Sequence, residues 1–206
     1  MKRRDLLTLG SGAVAFALAG RRPAIARAEA ERKVSAGPAA FPPRLADLNP
    51  DRMWPTYRRY HLLIVSQRDD STSGALTAAV VEVLSRHLPH ARPQLVSAAD
   101  SRRVGVLIAT DQQDVAIMQA DSAEALFLAK PPFADIPEAP LRIIVTFATH
   151  VLVCRPNFMA RHAYLLAKTL AEHGEELPTR AAPPTGVVPA HPGSRAFFVG
   201  EEMPND

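Results

Sequence analysis

Apolar positions along the chain change period several times, and each change marks an element. Tyr60-His61-Leu62-Leu63-Ile64-Val65 is a short, mostly apolar run, the pattern of a strand buried on both faces. Ser66 to Ser73 is polar and carries no large apolar side chain. Leu76, Ala79, Val80, Val83, Leu84 and Leu88 then recur at three-and-four spacing, which predicts a helix with one apolar face. The same alternation repeats twice. Gln94 to Ser97 reads as a second strand, and Arg102 to Thr110 as a helix capped by Asp100 or Ser101 with Val104, Leu107 and Ile108 inward. Asp114 to Met118 reads as a third strand, and Ala123 to Ala129 as a third helix. Strands alternating with helices imply right-handed crossovers and a parallel sheet.

Beyond a proline-rich connector from Pro131 to Pro140, two more apolar runs follow, Leu141 to Phe147 and His150 to Cys154. They are either an antiparallel pair or one strand and its continuation. Arg161 to His173 has helical spacing, Glu175 to Val188 is a Pro/Ala-rich loop, and His191-Pro192-Gly193-Ser194 starts a short terminal helix over Arg195 to Val199.

The N-terminus has a different character. Lys2, Arg3 and Arg4 precede an apolar stretch from Leu6 to Ala19, and Ala24-Ile25-Ala26 and Ala26-Arg27-Ala28 are small-x-small cleavage patterns. The run is too short for a membrane span, so residues 1–28 are expected to be an export signal. Arg3-Arg4 with Leu6-Leu7 behind them points to the twin-arginine route and a periplasmic destination; an uncleaved N-terminal anchor is the alternative. A mature chain starting between Arg27 and Glu31 is expected. Residues 29–56, rich in Ala, Pro and Arg, read as a linker or extended arm, with Trp54, Tyr57 and Tyr60 as anchors at its end. Residues 57–203 form the single α/β domain.

Charge changes meaning once the signal is set aside. The whole chain is formally +3, but residues 1–28 hold six basic residues and one acid. The remainder has 18 basic and 20 acidic residues, and no basic surface is left to suggest nucleic-acid binding. The single cysteine, Cys154, excludes an intrachain disulfide and sits in an apolar run, as a core residue does.

Candidate chemistry gathers in the loops. Ser71, Thr72 and Ser73 offer hydroxyls where a helix wants an N-cap, and Gly74 leaves backbone N–H groups open to approach. This is either a capped helix without a ligand or an anion site. In a parallel sheet, ligands sit beyond the carboxyl ends of the strands, where Ser66–Gly74, Ser97–Ser101 and Gln119–Ser122 all fall. His87 and His90 have a metal-compatible spacing, but no third ligand is near in sequence and no metal is expected there. No P-loop, zinc-protease pattern or nucleophile elbow occurs, so no catalytic residue and no cofactor is expected. A hydrolase would need a histidine beside a hydroxyl and an acid, with His150 or His191 as its base. His150 reads as a packed histidine between apolar runs.

The order of these motifs resembles the TAXI-type solute-binding proteins of TRAP transporters, and more broadly the two-lobed periplasmic binding proteins. The resemblance runs from Tyr60 to Met203. It is carried by Ser71-Thr72-Ser73-Gly74, by Ser97 and Ser101, and by the tract Asp114 to Ala123. It continues through the strands Leu141 to Cys154, Tyr164 to Leu170, and Val188 to Ser194. Only about Arg155 to Met159 separates the crossover strands from the terminal helix, so the chain matches the first lobe alone. The resemblance implies a single Rossmann-like lobe of the type II periplasmic-binding-protein class, a mostly parallel sheet with flanking helices. It implies a non-enzymatic site lined by Ser71, Thr72, Ser73, Gly74, Ser97, Gln119 and Asp121, holding a small carboxylate or amino-acid-like solute. Asp121 would pair with an amino group or cap the third helix. The implied partners are a membrane transporter subunit and a second copy or another protein across the cleft face. The alternative is a degenerate lobe that binds no ligand and docks to an envelope protein. An exposed patch formed by Phe127, Phe133, Phe147 and Phe158 would mark that alternative.

Overall fold

The computed structural model describes residues 61–136 and 139–205. The expected signal, the arm and the anchors Trp54, Tyr57 and Tyr60 lie outside the described residues. The apolar runs form five strands: β1 (Leu63–Gln67), β2 (Gln94–Ala98), β3 (Val115–Gln119), β4 (Arg142–Phe147) and β5 (His150–Cys154). The helices are α1 (Ser71–His87), α2 (Ser101–Ala109), α3 (Ala120–Phe127), α4 (Ala160–Glu172) and α5 (Pro192–Val199). Among the described residues no helix is long and apolar enough to cross a membrane.

The strands make one sheet in the order β2-β1-β3-β5-β4. β1 pairs in parallel with β2 and with β3, as the strand–helix alternation requires. The two later runs are an antiparallel hairpin, which decides between the two sequence readings. Its second strand, β5, inserts between β3 and β4 and runs antiparallel to both. The sheet is therefore mixed with a parallel core. The hairpin turn needs a left-handed residue, which Ala148 supplies at φ 37°.

Both faces of the sheet are covered, which explains why its strands read as continuous apolar runs rather than alternating ones. On one face Ile64, Val115, Ile117, Leu152 and Cys154 meet Leu76, Val80, Val83 and Leu84 of α1 and Ala163, Leu166, Ala167 and Leu170 of α4. On the other, Val65, Ala116, Met118, Val151 and Val153 meet Val104 and Ile108 of α2, Ala123 and Leu126 of α3, and Phe133 and Ile136 of the connector. A register shift between Ile143 and Val145 bulges β4, so Ile143 packs with the second group and Ile144 and Val145 with the first. Cys154 is buried as expected, and burial pushes its thiol pKa far up, so it is unreactive.

The edge of β4 is closed by the returning chain. Ile143 N–H donates to Pro189 O and His191 N–H to Ile143 O, while Thr146 and Ala182 exchange backbone bonds. Unpaired edge groups are thereby satisfied within the chain. The His-Pro-Gly element begins α5 three residues before the predicted start. His191 accepts from Gly193 N–H through Nδ1, at 3.2 Å, and donates from Nε2 to Phe158 O, at 2.9 Å. Ser194 Oγ donates to Ile144 O. The element is thus a structural clamp between α4, α5 and β4.

Gly193 is fixed by crowding: a Cβ there would lie 1.9 Å from Ala160 O. Gly193→Ala is expected to destabilise the protein by about 1–3 kcal/mol or more through forced separation of α4 and α5. Gly74→Ala, where a Cβ meets nothing within 4 Å, is expected to stabilise by up to about 1 kcal/mol through helix propensity. Urea unfolding of both variants checks the pair. Equal effects would contradict the packing described.

Candidate functional site

In strand order 2-1-3 the connection after β1 leads outwards to β2, while the one after β3 leads to the opposite side, to β4 and β5. The crevice beyond the carboxyl ends of β1 and β3 is the switch point where such sheets take ligands. Three segments meet there. β1 ends in Gln67 and the loop after it carries Asp70, β3 ends in Gln119, and antiparallel β5 begins with His150, which pairs directly with Gln119.

Asp70 is the hub. Its Oδ1 accepts from the backbone N–H of Thr72 at 2.9 Å and of Ser73 at 3.2 Å. Its Oδ2 accepts from Gln67 Nε2 at 3.2 Å, Gln119 Nε2 at 3.2 Å and His150 Nε2 at 2.9 Å. The Asp70 side chain is 14% exposed and that of His150 only 4%. Burial alone would raise the Asp70 pKa. The bonds from His150, Ser73, Gln119 and Thr72 outweigh it and hold the carboxyl below its ordinary value. An ionised carboxylate only accepts, so the proton between the pair is on His150 Nε2. His150 Nδ1 lies 3.0 Å from Thr149 Oγ1. The chain Thr149–His150–Asp70 thus orients the imidazole between the carboxylate and an exposed hydroxyl.

This geometry corrects the expected roles of the serine-threonine loop. The cap of α1 is Asp70, not the hydroxyls of Ser71, Thr72 or Ser73. The helix-end donors of Thr72 and Ser73 already hold a carboxylate from the chain itself, so this end of α1 has no vacancy for an external one. Ser73 is fully buried, and its Oγ donates to Ile117 O at 3.3 Å, pinning α1 to β3. Gly74 N–H is bonded to Asp70 O. It is therefore not an open donor. Ser97 is exposed on edge strand β2, on the far side of β1 from the switch point.

Gln119 is in the cluster, donating to Asp70. Asp121 is exposed in the first turn of α3 rather than its cap, because the helix starts at Ala120, where Ala120 N–H donates to Thr149 O. The N-cap position of α3, Gln119, makes no side-chain cap bond. The uncapped helix end at this crevice is thus that of α3, not α1. His150 is packed, as expected, but it is not alone.

Asp70, Gln67, Thr149 and His150 belong to this hydrogen-bonded cluster without having been expected there. Asp70 had a local signal, an aspartate directly before a Ser-Thr-Ser helix start. His150 had none, because its partners depend on β5 inserting beside β3.

One buried atom at the crevice lacks a partner. Gln67 Oε1 makes no hydrogen bond among the described residues, although Gln67 is only 5% exposed. A cavity of about 320 Å³ lies elsewhere, at the amino ends of β1 and β3, lined by Leu62, Leu63, Leu88, Val115, Phe158 and Leu166. Its lining is mainly apolar, with His61, His90, His162, Gln113 and Asp114 at its wall; the hydrogen-bonded cluster around Asp70 sits at the opposite end of the sheet. Comparison of the chain with protein-family models and with curated proteins finds no match in either.

Asp70→Asn places amide hydrogens against the Gln67, Gln119 and His150 donors, and at pH 7 it is expected to cost about 1–3 kcal/mol. Because the folded pKa is depressed, the carboxylate's contribution is full above the unfolded value of 3.8 and is lost as pH falls through the folded one. The stability gap between wild type and variant should therefore close below about pH 4. Denaturant unfolding across pH 2–7 measures it, and a gap constant with pH would contradict the hub role.

Proposed function

We propose that the chain is an exported, single-lobe solute-binding protein of the type II periplasmic class, serving a TRAP-type uptake system. Its solute is a small carboxylate that carries an amino group. The observation that carries this reading is the unpartnered acceptor at the switch point, Gln67 Oε1, beside the negative charge of Asp70. An ammonium group supplies the donor that Gln67 lacks, and leaving a buried acceptor unmet costs free energy. The solute's carboxylate then lies against Gln119 Nε2, the Thr72 hydroxyl and the first-turn N–H groups of α3 that follow Ala120, whose own N–H is held by Thr149 O. Asp70 and Asp121 together disfavour a solute that is only an anion.

The phenylalanines support ligand binding over the docking-module alternative. Phe133 and Phe147 are fully buried, and Phe127 and Phe158 are half-buried against the two cores. They form no exposed patch.

A pocket normally encloses about 70–90% of its ligand, and one lobe covers only about half. Losing roughly 3–4 kcal/mol of contacts from a micromolar receptor leaves a dissociation constant near 1 mM for the monomer. A second chain across the cleft face would tighten it.

Titration calorimetry of the mature chain with glutamate and with its deaminated counterpart glutarate tests the reading. Glutamate is expected to bind near 1 mM and more tightly than glutarate. Gln119→Ala is expected to weaken it by about 1–2 kcal/mol, roughly 5–30-fold. Equal binding of the two acids, or indifference to the substitution, would show that the site lies elsewhere.

A further inference from the structure

A second cluster stands well away in sequence from the switch-point residues, where α1 and α4 both end. His87 is the last residue of α1, His173 caps the C-terminus of α4, and Glu176 lies in the short 3₁₀ turn, Gly174–Glu176, that follows. His87 Nε2 is 2.7 Å from Glu176 Oε1, and His173 Nδ1 is 3.6 Å from the same oxygen. The two imidazoles are stacked, with centroids 3.5 Å apart and planes 8° apart. One donor atom from each of the three residues falls within 4.8 Å of the others.

We propose that His87, His173 and Glu176 form a binding site for a divalent transition ion of the zinc class, with water as the fourth ligand. Three physical features point to it. The donor set of two imidazoles and one carboxylate, with an open fourth position, is one that zinc accepts. Zinc–ligand bonds of roughly 2.0–2.1 Å set neighbouring donors roughly 3.3 Å apart, and the distances of 2.7 and 3.6 Å to Oε1 bracket that edge. To ligate the ion, His173 would turn its ring out of the stack with His87. Two helix C-termini converge here, and their exposed carbonyl ends favour a cation.

The second shell is also in place. Arg86 bonds Glu176 Oε2, the other oxygen, and is itself held by Glu82 at 2.9 Å. It fixes the carboxylate with Oε1 turned to the histidines, as outer-shell partners do. The His87, His173 and Glu176 side chains are 25%, 31% and 24% exposed, so an ion reaches them from solvent. Bound there, it would clip the ends of α1 and α4, elements of one core, across 86 residues of sequence. The histidine pair weighed in the sequence, His87 with His90, does not form it. His90 lines the apolar cavity instead.

The test is cobalt and zinc titration of the full chain, freed of metal by chelator and dialysis. One cobalt ion per chain is expected, with the visible bands of four-coordinate cobalt, displaced by zinc, and a rise in melting temperature on zinc addition. His173→Gln and Glu176→Gln are expected to weaken cobalt binding at least 10-fold, in line with the loss of a coordinating group, while the metal-free variants melt close to metal-free wild type. His90→Ala is expected to leave binding unchanged. Absence of a four-coordinate spectrum in wild type would overturn the proposal. So would binding that His173→Gln and Glu176→Gln spare, or that His90→Ala abolishes.

Discussion

The carboxylate of Asp70 is the constraint on which the switch-point end of the molecule depends. One oxygen closes the amino end of α1, and the other collects side chains from the ends of β1, β3 and β5. A helix terminus and an ionised acid attract each other, and each added N–H donor lowers the cost of keeping the charge largely buried. Five donors on one carboxylate saturate its lone pairs. The group therefore acts as a structural anion, and it redefines what the crevice can take. The helix end that the serine-threonine loop seemed to hold open is already filled, and the acceptor-rich side favours a solute that brings its own donors.

The rest of the fold serves to hold those three strand ends together. Helices on both faces of the sheet bury β1 and all of β3 but its last residue, Gln119, so the strands are fixed in register. The insertion of β5 between β3 and β4 brings His150 opposite Gln119. The return of the chain along β4, locked by His191, Gly193 and Ser194, closes the far edge and steadies the hairpin that presents Thr149 and His150. The same packing lets α1 and α4 end side by side, which creates the His87–His173–Glu176 cluster at the other end of α1.

Periodicity made most of the elements legible. The apolar runs of β1, β3 and β5 and the face of α1 read directly, because strands covered on two sides and a helix covered on one leave unmistakable patterns. The start of α3 was hidden, because its first turn is polar and is fixed by a backbone bond to Thr149, 29 residues on. Gln119 was found because it ends a readable strand. Ser73 was misread because a hydroxyl at a helix start looks the same in sequence whether it faces solvent or, as here, Ile117 O. His150 and His173 gained their partners only through pairing and packing across distant segments, which spacing along a chain cannot encode.

The most direct test of the hub is a double-mutant cycle at pH 7 on Asp70→Asn and His150→Gln, read by urea unfolding. A coupling energy of about 1 kcal/mol or more is expected for two groups in one hydrogen-bonded network. Additivity within about 0.3 kcal/mol, the behaviour of independent sites, would contradict the claim that Asp70 ties the helix cap to the strand ends through His150.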